Sequence, residues 1–265
     1  MPHSDTAVVL LHGQPATHVS WLPARRLLDD AEVLTGVDVL NPDRPGYGAN
    51  PASATDYPGN VEWLIRLLDG AGLRRAVLVG HSWGGGIATL AAVRHPDRVA
   101  GLVLVSSVGP RCLLPQDHPL GWPVLGDLLA YAGLSAAGPI LRRRARRELG
   151  RRVAPADLDE VGESLRVQFE RPVWRSFLLE QRALLEQLPA LDAALAAIRV
   201  PAIVLTGTED RVIPAATPRL LSSWIRGAEL RVIPRVGHML PLDAPDVVAR
   251  AVLDVVGRVS ARYPR

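Results

Sequence analysis

The stretch Ala76-Val-Leu-Val-Gly-His-Ser82-Trp-Gly-Gly-Gly-Ile-Ala88 constrains the fold more than any other part of this chain. A β-branched apolar run passes through one serine into a glycine-opened helical pattern. A strand that becomes a helix this sharply holds its turn residue at strained φ and ψ. Its neighbours two positions away, Gly80 and Gly84, must then be small to let strand and helix approach. The pattern predicts a nucleophile elbow with the Ser82 hydroxyl pushed clear of the sheet. The following helix brings unpaired N–H groups and the positive end of its dipole to the same place, which suits a developing oxyanion.

A serine hydroxyl is a poor nucleophile at neutral pH, so it needs a base and a group that orients the base. Two downstream segments offer them. The buried-strand pattern Pro201-Ala-Ile-Val-Leu-Thr-Gly207 runs into Thr208-Glu-Asp210-Arg-Val-Ile-Pro214, which places a carboxylate on the loop at its end. Asp210 competes there with the adjacent Glu209. A third run, Leu230-Arg-Val-Ile-Pro234, leads to Gly237-His238-Met239 and so to an imidazole. In an open parallel sheet the carboxyl ends of the strands share one edge, where loops far apart in sequence converge. Near the N-terminus, Thr6-Ala-Val-Val-Leu-Leu11 precedes His12-Gly-Gln-Pro15, a loop read as the oxyanion site. The peptide N–H groups of Gln14 and Trp83 are its expected donors, and His12 is expected to brace the loop.

With these segments in order, the chain resembles the α/β-hydrolase superfamily, and within it the lid-bearing serine hydrolases: esterases, C–C bond hydrolases and haloperoxidase-like enzymes. The resemblance rests on His12-Gly-Gln-Pro, Asp43-Arg-Pro-Gly-Tyr-Gly48, Gly80-His-Ser-Trp-Gly-Gly85, Gly207-Thr-Glu-Asp-Arg-Val-Ile-Pro214 and Gly237-His238. It covers residues 6–110 and 189–258. It implies a Ser82, Asp210, His238 triad in the superfamily's chain order and favours Asp210 over Glu209. Asp43 and Arg44 are expected to organise the turn ending at Gly48, and His81 to pack behind the elbow. His18, His95 and His118 look incidental.

Strand patterns at about 6–11, 37–41, 75–81, 99–106, 200–206 and 229–234 alternate with helix patterns, the signature of right-handed βαβ crossovers. Helices are expected at 58–70, 84–94, 214–225 and 244–259. The fold class is therefore α/β, with a mostly parallel sheet of about six strands. Many relatives begin with two further strands, so the strand near Val37–Asn41 falls at the sheet edge here, where a homodimer could pair. From about Gly109 to Leu188 only helical patterns occur, punctuated by seven prolines. This reads as a helical lid (109–188) inserted into a core domain (1–108 and 189–265).

At 265 residues and 48% hydrophobic content, one core plus an insertion is the simplest count. A single cysteine, Cys112, excludes an internal disulfide, and Met1–Thr6 lacks the pattern of a secretory leader. No stretch approaches an integral membrane segment. A cytoplasmic location is the resulting expectation. Metal-ligand spacing is absent among the histidines, and no cofactor is called for.

All 30 basic residues are arginine. Seven of them crowd Arg142–Arg152 with only Glu148 opposing. The expected arrangement is a solvated helix face whose other side is Ile140, Leu141, Leu149 and Val153. The competing reading is a docking patch for an acyl carrier, a nucleotide-bearing thioester or a membrane surface. Nucleic acid is not expected, because the cluster has no interleaved aromatics and no accompanying binding motif. The expected activity is hydrolysis of an ester-like bond in a small, largely apolar molecule through an acyl-enzyme. A C–C bond hydrolase, a thioesterase or an acyl-transferring cyclase would use the same triad, and the fold can also serve as a non-catalytic ligand binder.

Overall fold

The computed structural model describes residues 6–262; the leader reading of Met1–Asp5 and the last residues of the core-domain assignment lie outside the described residues. Six strands form one sheet: β1 (Thr6–Leu11), β2 (Val39–Leu40), β3 (Arg75–His81), β4 (Val99–Val105), β5 (Ala202–Gly207) and β6 (Glu229–Ile233). Their order is β2-β1-β3-β4-β5-β6 and every pairing is parallel. Strand β2 lies at the edge as expected, but it is only two residues long and pairs through Val8 with Val39 and Val9 with Leu40. So short an edge exposes little backbone to another strand.

A parallel sheet is covered on both faces, and alternate residues of each strand serve opposite layers. Ala7, Val9, Leu11, Ala76 and Leu78 pack with α2 (Tyr57–Gly70) and α3 (Trp83–Arg94). Val8, Leu10, Val77, Val79, Val103 and Leu205 face the opposite way, onto α1 (Leu22–Asp29) and α10 (Pro245–Arg262). Helix α2 begins where the Asp56 carboxylate accepts the Gly59 N–H at 2.9 Å, with Pro58 in its first turn. The short helices α8 (Ala216–Trp224) and α9 (Leu240–Asp243) complete the core.

Between β4 and β5 the regular structure is all helical: α4 (Leu125–Tyr131), α5 (Gly138–Gly150), α6 (Leu158–Glu170) and α7 (Val173–Ala194), with single turns between some of them. The sequence reading ends this insertion at Leu188, yet α7 runs on to Ala194 with Pro189 inside it. Leu184, Leu188 and Leu195 from this end join the core beside α3, so apolar packing carries the helix past the proline.

The arginine-rich α5 turns Ala145 and Leu149 toward Val19, Leu22, Val161 and Leu165. The expected apolar side is only partly right, because Ile140 is 73% exposed. Five successive arginines of the run, Arg142 to Arg147, are exposed as a solvated face requires.

Candidate active site

Because every strand runs the same way, the loops after β1, β3, β5 and β6 share one edge of the sheet. Ser82 follows β3 directly with φ 53° and ψ −120°, the left-handed side of the map that side chains avoid. A Cβ on Gly80 would stand 2.5 Å from the Gly84 carbonyl oxygen and the Gly85 Cα, so this crossing excludes any larger residue. The Ser82 carbonyl accepts from the Gly85 and Val108 N–H groups, and its hydroxyl makes no capping bond to α3.

On the neighbouring loops, His238 Nδ1 lies 3.1 and 3.0 Å from the two Asp210 oxygens, whose side chain is 2% exposed against 15% for the histidine. The Asp210 carboxylate also accepts the Val212 and Ile213 N–H groups at 2.9 Å. Burial pushes the Asp210 carboxyl up, but the His238 contact and these two amides outweigh it and hold the group below the usual range. Glu209, the rival acid, is exposed.

The loop after β1 packs onto the elbow: a Cβ at Gly13 would lie 2.9 Å from Ser82 Cβ and 3.1 Å from His81 Nδ1. The Gln14 and Trp83 amides, the two expected donors, meet no backbone carbonyl among the described residues. The Gln14 side chain donates to Gln181 Oε1 on α7 at 2.8 Å.

His12 is buried; its Nδ1–H donates to the Gly13 carbonyl at 2.8 Å and its Nε2 accepts the Arg44 N–H at 3.0 Å. Burial, and then the Arg44 charge, hold its pKa well below the usual value, so this brace is neutral. His81 lies behind the elbow as expected and donates through Nε2 to the His238 carbonyl at 3.0 Å, with the rings 4.8 Å apart. Burial, reinforced by His238, lowers it to about 3.

Both Asp43 and Arg44 serve the turn: the Asp43 carboxylate accepts the Ala49 N–H at 2.9 Å and the Arg44 carbonyl accepts the Tyr47 N–H at 3.1 Å, but the Arg44 side chain is used elsewhere. Arg44 instead donates from Nε to the His12 carbonyl at 2.8 Å and from an amino group to the Gly13 carbonyl at 3.1 Å. It also forms a fully buried two-pronged ion pair with Glu180 of α7. Tyr47 donates to the same carboxylate at 2.7 Å, and the Trp83 indole N–H donates to the Glu180 carbonyl at 3.2 Å. Stacked on Tyr57 at 4.1 Å, the Trp83 side chain belongs to this buried brace.

Sequence reasoning missed Glu180 and Gln181. The available signal was a charge on an apolar stripe, since Val173, Glu180, Leu184 and Leu191 recur at helical spacing on the buried side of α7. His18 also departs from expectation. Its ring joins Asp43 Oδ1 at 2.8 Å to Glu160 Oε1 of α6 at 3.0 Å. His95 and His118 have no such role in the site.

An apolar pocket of about 390 Å³ opens beside these loops, with Pro15, Ala16 and Met239 on the core side and Leu165, Phe169 and Val173 on the helical side. No group of three or more His, Cys, Asp or Glu side chains among the described residues is arranged to hold a metal ion. No helix among them is long and apolar enough to cross a membrane.

The chain is similar to the 2-hydroxymuconate semialdehyde hydrolase of Pseudomonas sp. (strain CF600), 27% identical over 260 residues, covering 96% of this chain and 88% of that one. It is likewise similar to the 2-hydroxy-6-oxo-2,4-heptadienoate hydrolase of Pseudomonas putida, 28% identical over 253 residues, with 93% and 87% covered. A thermophilic esterase from Thermogutta terrifontis shares the fold with a TM-score of 0.72 at 21% identity, over 97% of this chain and 91% of that one. Residues 8–251 match the model of the Alpha/beta hydrolase family, a span that includes the elbow, Asp210 and His238, and the chain belongs to that family.

Proposed function

We propose that the protein is a serine hydrolase that cleaves an ester-like bond of a small, largely apolar molecule through an acyl-enzyme on Ser82. The reading is carried by one arrangement: His238 Nδ1 against both Asp210 oxygens, on the sheet edge that also presents a serine at positive φ. His238 Nε2 takes the Ser82 proton as the oxygen attacks the carbonyl carbon. Asp210 holds the tautomer and offsets the imidazolium charge. The Gln14 and Trp83 amides receive the oxyanion, and His238 returns the proton to the leaving group. Water then repeats the cycle on the acyl-enzyme. The helical insertion acts as a lid that keeps water from the pocket and sets its shape.

A second reading, hydrolysis of a C–C bond in a diketone-like substrate, is favoured by the names of the two Pseudomonas relatives. Both readings predict that a fluorophosphonate leaves one adduct on Ser82, absent in S82A and suppressed in H238A, by intact mass and peptide mapping. A folded, unlabelled protein would sink both. Side-by-side turnover of aryl esters and of a vinylogous diketone then separates them.

A further inference from the structure

The exposed arginines of α5 do not simply face solvent. Arg142, Arg143 and Arg146 line an open groove of about 850 Å³ together with Arg171 from the turn before α7. Among the described residues the first three have no ion-pair partner. The one acid in the lining, Glu170, has both carboxylate oxygens held by Arg166 at 2.7 and 2.8 Å. The groove therefore carries an unneutralised positive field. Three aromatic rings line the same groove: Phe169, Tyr131, which is 52% exposed, and Trp174, packed edge-on against Tyr131 at 5.7 Å. Arginine forks suit phosphate oxygens, and an exposed ring suits the face of a planar base.

The groove also adjoins the apolar pocket beside the site. Leu134, Phe169 and Val173 line both cavities, and the inner one reaches Pro15 and Met239, chain neighbours of Gln14 and His238. A ligand lying across this shared rim would put a charged aromatic head outside and an apolar tail toward Pro15 and Met239.

We propose that the groove binds the phosphate-bearing nucleotide head of a thioester substrate, whose acyl group enters the inner pocket. The inference rests on the serine-hydrolase reading and narrows it to a substrate class. In the first step an acyl–oxygen bond forms to Ser82 while the carbon–sulfur bond breaks, and the proton that His238 took from Ser82 passes to the departing sulfur. Water then attacks the acyl-enzyme, releasing a carboxylic acid and restoring the serine proton. No oxidant or reductant is required.

The test compares matched acyl thioesters of coenzyme A and of pantetheine, which differ only in the phosphorylated nucleotide. Calorimetric titration with free coenzyme A provides a readout that needs no turnover. The expected kcat/KM ratio favours the coenzyme A ester by roughly tenfold, with the ratio collapsing toward one in R142Q/R143Q/R146Q and at high salt. The ratio is internal to each protein, so a partly unfolded variant cannot imitate the result. Arginine-dependent binding of free coenzyme A supports the groove even where Ser82 proves unreactive, which separates this inference from the catalytic one. Equal turnover of the two esters without coenzyme A binding overturns it. So does binding that survives the triple substitution, or a preference confined to thioesters of an acidic carrier protein.

Discussion

Arg44 and Glu180 are 136 residues apart in sequence, and their side chains meet fully buried, joining the loop after β2 to helix α7. Burial pushes the Glu180 carboxyl up against the opposing pull of Arg44 and Tyr47, and the carboxylate in turn helps to keep Arg44 charged. Substituting E180Q preserves an acceptor for Tyr47 but leaves a buried guanidinium without its counter-charge. The expected loss is about 3–5 kcal/mol in urea unfolding, much of it recovered in R44M/E180L. A double variant no more stable than E180Q would show that the charges are not what the site depends on.

Gly13 packs the loop after β1 closely against Ser82, the proposed nucleophile. In G13A the new methyl meets Ser82 Cβ and His81 Nδ1, so loop and elbow must separate and carry the Gln14 amide away from its position. A kcat lower by about 10²–10³ is expected, with fluorophosphonate labelling of Ser82 slowed in proportion. Unchanged kcat would remove Gln14 from the proposed oxyanion site.

Asp210 has two kinds of partner, and the D210N substitution distinguishes them. An amide can still accept from the Val212 and Ile213 N–H groups, while it no longer offers a carboxylate to His238 Nδ1. Stability should therefore change little while kcat falls by about 10⁴. Equal losses in both would mark Asp210 as a turn residue only.

His18 makes the contact between α6 and the core depend on pH. Burial lowers its pKa, but the Asp43 bond and charge, with Glu160 behind them, outweigh that and raise it. For Asp43, burial acts upward while the His18 contacts pull it down to about 2. The histidine's contribution is complete below its unfolded value of about 6.5 and disappears as pH rises through the raised folded value. The Asp43 contribution is present above roughly 4 and disappears as pH falls toward 2. Stability of the wild type should thus decline from pH 6 to 8 with a slope that H18Q lacks, read from urea midpoints. Parallel curves for the two proteins would refute the assignment.

The sheet was legible because β1, β3, β4 and β5 are short apolar runs, three of which end at loops with chemistry of their own. Parallel order then followed from alternation with helices. The juxtaposition of Asp210 and His238 was legible for the same reason. What could not be read was anything set by the insertion's docking. Arg44 was read correctly as part of a local turn, but its side-chain partners, His12, Gly13 and Glu180, could not be read because they come from segments far away in the chain. Ile140 fits the apolar side of α5 by spacing, but that side is wider than the surface the core offers, and it stays in water. Where α7 ends was not legible either: Pro189 stands inside it, and leucines on either side bury enough surface to keep the helix going.

Helix α7 cannot swing away from the site without extracting a charge pair from the protein interior and releasing the Trp83 indole and Gln14 amide side chain with it. It is a fixed roof beam rather than a door.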